Sequence, residues 1–194
     1  MNDAGQPGKH LYHIKIIKTY LEYVRKNYPD LNIDHILDYS GITKPELDDD
    51  GYWCTQEQAD KFHEIVDKLT KHTNIARVVG RYGTTAASYG IIRQYIFSFI
   101  EPSTAYEVMG KIGSKLTRGT KITINKIASN KVEAIFVQYP GVKEKQYQCQ
   151  NRLGSMEALA IPFTGEYAAV DHQECIHKGA NYCRYLISWA RNNW

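Results

Sequence analysis

The stretch KITINKIASNKVEAIFVQY, residues 121–139, decides the fold class. Lys121–Ala128 and Lys131–Tyr139 are rich in Ile and Val, the β-branched residues that suit a pleated, half-buried surface. Ser129-Asn130 between them reads as a tight turn, so the stretch predicts an antiparallel hairpin. Upstream of Gly119 the texture is helical instead. Ile14, Ile17, Leu21, Val24 and Tyr28 recur at helical spacing until Pro29 stops the pattern. Asn32 caps a short helix through Tyr39 that Gly41 closes. Thr55 and Gln58 form a capping box, opening a helix with Ala59, Phe62, Val66 and Leu69 on one face. Asn74 caps another helix, in which Gly80 and Gly83 predict close helix packing. Residues 91–100 give an aromatic helix, and Pro102-Ser103 start one more that reaches Leu116. Downstream of the hairpin, a helix runs from about Cys149 to Phe163. A second hairpin follows, Ala168–Cys175 with Cys183–Trp189, joined around Gly179-Ala180-Asn181. The expected fold is α+β: an N-terminal helical half, then an antiparallel sheet with helices packed on one side.

The 194 residues, 43% of them apolar, suit one compact core. Residues 1–10 read as a loose leader and 11–194 as a single domain, with 11–118 its helical half and 119–194 the hairpin-helix-hairpin half. The longest apolar-looking run, Gly90–Ile100, is interrupted by Arg93, Gln94 and Ser98, far short of a membrane span. The N-terminus lacks the features of a secretion signal, so a cytoplasmic location with reduced thiols is expected. Residues 1–50 hold six Lys/Arg against nine Asp/Glu, while 111–145 hold eight against two. The basic stretch reads as a solvated strand face with lysines guarding the sheet, and no nucleic-acid reader motif accompanies it. The run Asp48-Asp49-Asp50-Gly51 starts like a calcium loop but lacks the alternation and closing glutamate of one, and reads as a turn.

Four cysteines stand at positions 54, 149, 175 and 183. Cys54, just before a helix cap, reads as a half-buried bystander. The others join His172 in the pattern C-x22-H-x2-C-x7-C. Three cysteines and one histidine make a closed tetrahedral ligand set for zinc, and a turn holding Gly179 would bring Cys175 and Cys183 together. One obstacle is geometric: in a regular strand His172 and Cys175 point to opposite faces, so the site requires a bulge or an early strand end.

The run from His172 to Trp189, HQECIHKGANYCRYLISW, resembles the end of the small-molecule-binding domain named after the vinyl-reductase family. In phenol-sensing transcription activators with that domain, a cysteine, a glutamate and two further cysteines hold zinc. The resemblance places Cys149, His172, Cys175 and Cys183 in those roles, with His172 where that family has glutamate. The front half, from Ile14 through the helices after Asp50, more loosely resembles heme nitric-oxide-binding domains, which share the broad fold. That family's axial histidine has no counterpart in residues 106–116, where Gly113 falls at its place, and the tyrosine–serine–arginine propionate signature is absent. The expected cofactor is therefore structural zinc, with heme set aside.

No nucleophile elbow, phosphate loop, H-E-x-x-H or dinucleotide fingerprint occurs, so an enzyme is not expected. The remaining histidines, His63 among them, fall on helix faces or loops and read as mostly exposed. Glu174 beside Cys175 could serve as an acid or base near a metal. The aromatic residues concentrate where the two halves meet, and Tyr95, Phe99, Phe136 and Tyr147 are the candidate ligand-binding residues. With no catalytic set in the chain, the resemblance implies a sensor domain of bacterial signal transduction that binds a small, often aromatic molecule. The resemblance implies a homodimer and a downstream kinase, cyclase or transcription output. A metal-dependent enzyme with an open cysteine site and a non-catalytic interaction scaffold are the competing readings.

Overall fold

The computed structural model describes residues 10–85 and 101–190. The predicted helix at 91–100 lies outside them. The chain opens with a short strand, β1 (His10–His13), which pairs antiparallel with β2 (Trp53–Thr55). Between them lie α1 (Ile14–Asn27), α2 (Ile33–Ser40) and α3 (Lys44–Asp48); α4 (Gln56–Thr70) and α5 (Ile75–Thr85) follow. Helix α1 buries the stripe Ile14, Ile17, Leu21 and Val24 that the periodicity marks. Asn32 accepts a hydrogen bond from the amide of His35 to start α2, and Gly41 at φ 67° ends it. That backbone conformation is one a glycine adopts without steric cost. Thr55 and Gln58 form the expected capping box of α4.

Helix α6 (Pro102–Ser114) leads into β3 (Thr120–Ala128) and β4 (Lys131–Gln138); α7 (Gln146–Ala158) and the short α8 (Ile161–Thr164) precede β5 (Ala169–Asp171) and β6 (Cys183–Ser188). The sheet order is β3-β4-β6-β5, antiparallel throughout. The hairpin of residues 121–139 forms as the sequence predicts, with Ala128 opposite Lys131. Alternate residues Val132, Ala134 and Phe136 of β4 and Cys183, Tyr185 and Ile187 of β6 are buried on one face. The second hairpin departs from expectation. Its first strand stops at Asp171, and a 3₁₀ turn (Ile176–Lys178) closed by Gly179 at φ 90° carries the chain to β6.

Two apolar cores result. One lies among α1, α2, α4 and α5; the other lies between the sheet, α6 and α7. Helix α7 joins the halves by packing tightly on α5. A Cβ at Gly154 would stand 1.9 Å from the Arg77 carbonyl oxygen, and one at Gly80 would stand 2.1 Å from that of Asn151. The Asn151 side-chain amide donates to the Ala76 carbonyl (3.1 Å), and the Ser155 hydroxyl to that of Gly80 (3.2 Å). Among the described residues, no helix is long and apolar enough to cross a membrane.

Candidate functional site

Two features stand where the elements converge: a cysteine/histidine cluster behind the sheet and an apolar cavity between the halves. The cluster contains the four residues the spacing selects. Cys149 comes from the first turn of α7, His172 and Cys175 from the segment after β5, and Cys183 from the start of β6. Their ligand atoms all lie within 4.8 Å of one another. The Cys183 Sγ is 3.7 Å from that of Cys149 and 3.8 Å from that of Cys175, too far for a disulfide. All three thiols are buried and free.

The early end of β5 removes the geometric obstacle. Beyond Asp171 the chain leaves the alternation of a strand, so His172 and Cys175 can face the same point. The turn is held by amides of Lys178 and Ala180 donating to the Cys175 carbonyl at 2.8 and 3.1 Å. The His172 ring stacks on Tyr185 with centroids 3.9 Å apart, and its Nε2 is buried with no hydrogen-bond partner among the described residues. Interaction with Cys149 pulls the Cys183 thiol down to about 4, while Cys149 is pushed up by the same contact and by burial. A thiol drawn toward its thiolate form among neighbouring sulfurs suits cation binding. Glu174 is not among the clustered ligands, and its carboxylate pairs with Arg184 at 3.0 Å. Cys54 lies apart from the cluster and is fully buried rather than half-buried, with burial pushing its thiol up to about 12.

The cavity, of about 240 Å³, lies between α1, α4 and α5 on one side and α6, α7 and the sheet on the other. Its walls are mainly apolar: Ile17, Phe62, Val79, Met109, Ile122 and Ile187 are among them. Of the candidate ligand-binding residues, Phe136 and Tyr147 line it; Tyr95 and Phe99 fall outside the described residues. Gly110 and Gly113 of α6 also line it, close against β3, where a Cβ would meet Ile124 at 2.5 Å and Ile122 at 3.0 Å.

Apart from Tyr147, sequence reasoning missed the polar groups of this cavity. His63 of α4 is half-buried on the wall, not exposed, with its ring stacked on Tyr147 at 4.1 Å and 10°. Burial pulls its imidazole down to about 4, so the ring is neutral near pH 7. The Tyr147 hydroxyl donates to Asp60 at 3.0 Å, and Gln56 donates to the same oxygen at 2.7 Å. Burial raises the Asp60 carboxyl above its ordinary range despite these donors. Arg152 reaches the cavity and stacks on Phe136 at 4.5 Å, but its charge is spent on Glu144, at 2.5 and 2.8 Å. The one available signal was His63 following Phe62 on the helix that the capping box opens. Its partner, Tyr147, lies 84 positions along the chain.

No family model matches the chain, and no curated protein matches it. Solved structures do share its fold, H-NOX proteins among them. An H-NOX protein from S. oneidensis in the Fe(II)NO state is 12% identical with a TM-score of 0.69, covering 92% of this chain and 99% of that one. One studied for heme distortion in the H-NOX family is 17% identical with a TM-score of 0.69, covering 93% and 96%. The Fe(II) unliganded protein from K. algicida is 10% identical with a TM-score of 0.62, covering 94% and 98%. The chain therefore has the α+β architecture of the heme nitric-oxide-binding fold.

This overturns the cofactor expected from sequence, zinc with heme set aside. The structures sharing the fold are those of heme proteins, so the cofactor they point to is heme. From sequence, heme is set aside because residues 106–116 hold no histidine and the propionate signature is absent. In the structure the cavity is walled by both halves, and an imidazole reaches its wall from α4.

Proposed function

We propose that this chain is a ligand-binding sensor domain of signal transduction, and that the cavity between its halves is where the sensed state is set. The observation that supports it most is the apolar cavity itself, lying between the two halves of a chain with the H-NOX fold over more than nine-tenths of its length. Heme is the group proposed for it. The residues fit in one respect: the wall is apolar, as a porphyrin face requires. A bound heme would supply an iron able to take up a small gas ligand. The protein's own part is to exclude water with Phe62, Val79, Met109 and Ile122, and to fix the polar edge through Tyr147 and Asp60. A small aromatic molecule is the competing occupant, favoured by Phe136 and Tyr147 on the same wall.

The second part of the reading concerns the cluster. Cys149, His172, Cys175 and Cys183 are proposed to hold a thiolate-preferring metal ion that fastens the terminal hairpin to α7, as the vinyl-reductase-type resemblance of that hairpin implies. Four protein ligands leave no open position for a substrate, so the proposed role is structural and not catalytic. The domain would signal by shifting its contacts with a second copy or an output domain as the cavity fills.

Titration of the purified chain with hemin tests the first part. A Soret band that saturates at one hemin per chain is the expected result; a spectrum unchanged from free hemin refutes it. Elemental analysis tests the second. About one metal ion per chain, lost in Cys183→Ser, supports the cluster, and a metal-free protein after expression in metal-replete medium defeats it.

A further inference from the structure

Tyr185 of β6 stands two residues after Cys183, on the same face of the sheet, and is completely buried. Its ring stacks on that of His172, with centroids 3.9 Å apart and planes 17° from parallel. The Phe136 ring meets it edge-on at 5.4 Å. Its hydroxyl is buried with no hydrogen-bond partner among the described residues. A buried tyrosine hydroxyl ordinarily finds a partner, and leaving it without one costs stability. Burial pushes the hydroxyl up; Arg152 draws it down, and the sulfurs of Cys149 and, less strongly, Cys183 push it up further, which sets it beside the cluster. Arg152 has only donors, and they are occupied by Glu144 at 2.5 and 2.8 Å. The acceptor beside the hydroxyl is therefore sulfur. A cysteine ligates a metal ion as its thiolate, and an ionised acceptor takes a stronger hydrogen bond than a neutral one.

From this geometry we infer that Tyr185 is a positioning residue of the cysteine/histidine cluster: its ring fixes the plane of His172, and its hydroxyl donates to the Cys149 thiolate when a metal ion is held. The inference rests on the reading of the cluster as a metal site. The two contacts act differently. The χ2 torsion of a histidine is soft, and turning it here would drive the imidazole into the phenol ring, so the stack holds one orientation. The hydroxyl draws charge from one sulfur of a set whose ligand atoms crowd within 4.8 Å of one another, which eases the repulsion among thiolates. A buried polar atom without a partner calls for an explanation, and a thiolate formed beside it is one. Support of this kind, from outside the ligand set, orients ligands and tunes the ion they hold.

The test uses the full chain, reduced and freed of metal, and titrated with cobalt(II), whose sulfur-to-metal charge-transfer bands report on the thiolates. Wild type is expected to take up one ion per chain with the spectrum of a tetrahedral site. Tyr185→Phe keeps the stacked ring and removes only the hydroxyl. It should bind cobalt(II) about 10- to 100-fold more weakly. Its charge-transfer bands should move to longer wavelength, because a thiolate that has lost a hydrogen bond gives up charge more readily. Its metal-free melting temperature should be no lower than that of wild type, since the hydroxyl has no partner to lose in that state. Tyr185→Leu removes the ring as well and should weaken binding further; equal affinities in the two variants overturn the role of the ring. Affinity and bands unchanged in Tyr185→Phe, or a metal-free protein that melts as much lower as the loaded one, overturn the inference and leave the cluster a metal site. A wild-type chain that takes up no cobalt(II) overturns both.

Discussion

Removing the charge on Glu144 should be among the most damaging single changes to this domain. Its side chain is fully buried, and the hydrogen bonds its carboxylate accepts are charge-assisted. Arg152 meets both carboxylate oxygens at 2.5 and 2.8 Å, Thr120 donates at 2.7 Å and Gln138 at 2.9 Å. Glu144→Gln preserves the volume but strands a guanidinium whose side chain is only 15% exposed. Breaking a buried pair from one side costs about 3–5 kcal/mol, a large part of the roughly 5–15 kcal/mol that holds a domain folded. At about 2–4 °C per kcal/mol for a chain of this size, the melting temperature should fall by about 6–20 °C. Removing both charges, as Glu144→Leu with Arg152→Met, should cost less than either single change, since no buried charge is then left alone. Urea unfolding with an unchanged m-value measures each step of the cycle. Acid provides an independent arm. Burial pushes the Glu144 carboxyl up, but Arg152 and the hydrogen bonds outweigh it and hold the group below its ordinary range. A carboxyl depressed in the folded state stabilises above its unfolded value, about 4.3, and that stability is lost as the pH falls below it. The Glu144→Gln protein should lack this part of the acid transition. A single substitution costing under about 1 kcal/mol, or a double variant as unstable as the two singles added, would refute the reasoning.

Three further outcomes follow from the packing. Gly154→Ala places a methyl 1.9 Å from the Arg77 carbonyl oxygen, so α5 and α7 must separate; a loss of about 1–3 kcal/mol is expected in urea unfolding. Gly113→Ala, whose nearest neighbour is the movable end of Ile122 at 3.0 Å, should cost less in the same assay. Thr55→Ala removes the side-chain acceptor of the Gln58 amide (3.1 Å), and about 1 kcal/mol should be lost in thermal melts. If the cluster holds a metal ion, a strong chelator should lower the melting temperature of wild type and leave Cys183→Ser unmoved; equal responses would count against the fastening role.

Much of this architecture is legible in the chain because its signals are local. The stripe of α1 and the capping box of α4 lie within single elements, and the hairpin at Ala128–Lys131 is set by its own turn and strand composition. The cysteine cluster is legible for another reason: only a few residue types hold metals, so spacing alone narrows the choice. What spacing could not show was how His172 and Cys175 come to face one point, since that depends on β5 stopping at Asp171. The opening strand was missed because its partner is distant. His10 pairs with Thr55, and a four-residue strand has no periodicity to announce it. His63 was misread as exposed because a lone histidine on a helix is silent about its neighbours. Its environment comes from Tyr20 and Tyr147 on two other helices.

Helix α7 shows why periodicity runs out at the point that matters most. A helix with one face in water displays an apolar stripe, but α7 is enclosed by α5, the sheet and the cavity, and it buries Gln148 and Glu157 along with Cys149, Leu153 and Met156. Each polar group on it survives burial through a specific partner. Asn151 and Ser155 bond to carbonyls of α5, Arg152 pairs with Glu144, and Glu157 accepts from Arg77 and Arg81. Within its first two turns it presents Tyr147 to the cavity and Cys149 to the cluster, with Arg152 stacked on the Phe136 that lines the cavity. Because Gly154 and Gly80 let the helices touch backbone to backbone, α7 cannot shift against α5 without losing these bonds. The same rigid element therefore sets the positions of Cys149 and of the ring that stacks on His63, which ties the geometry of the cluster to that of the cavity.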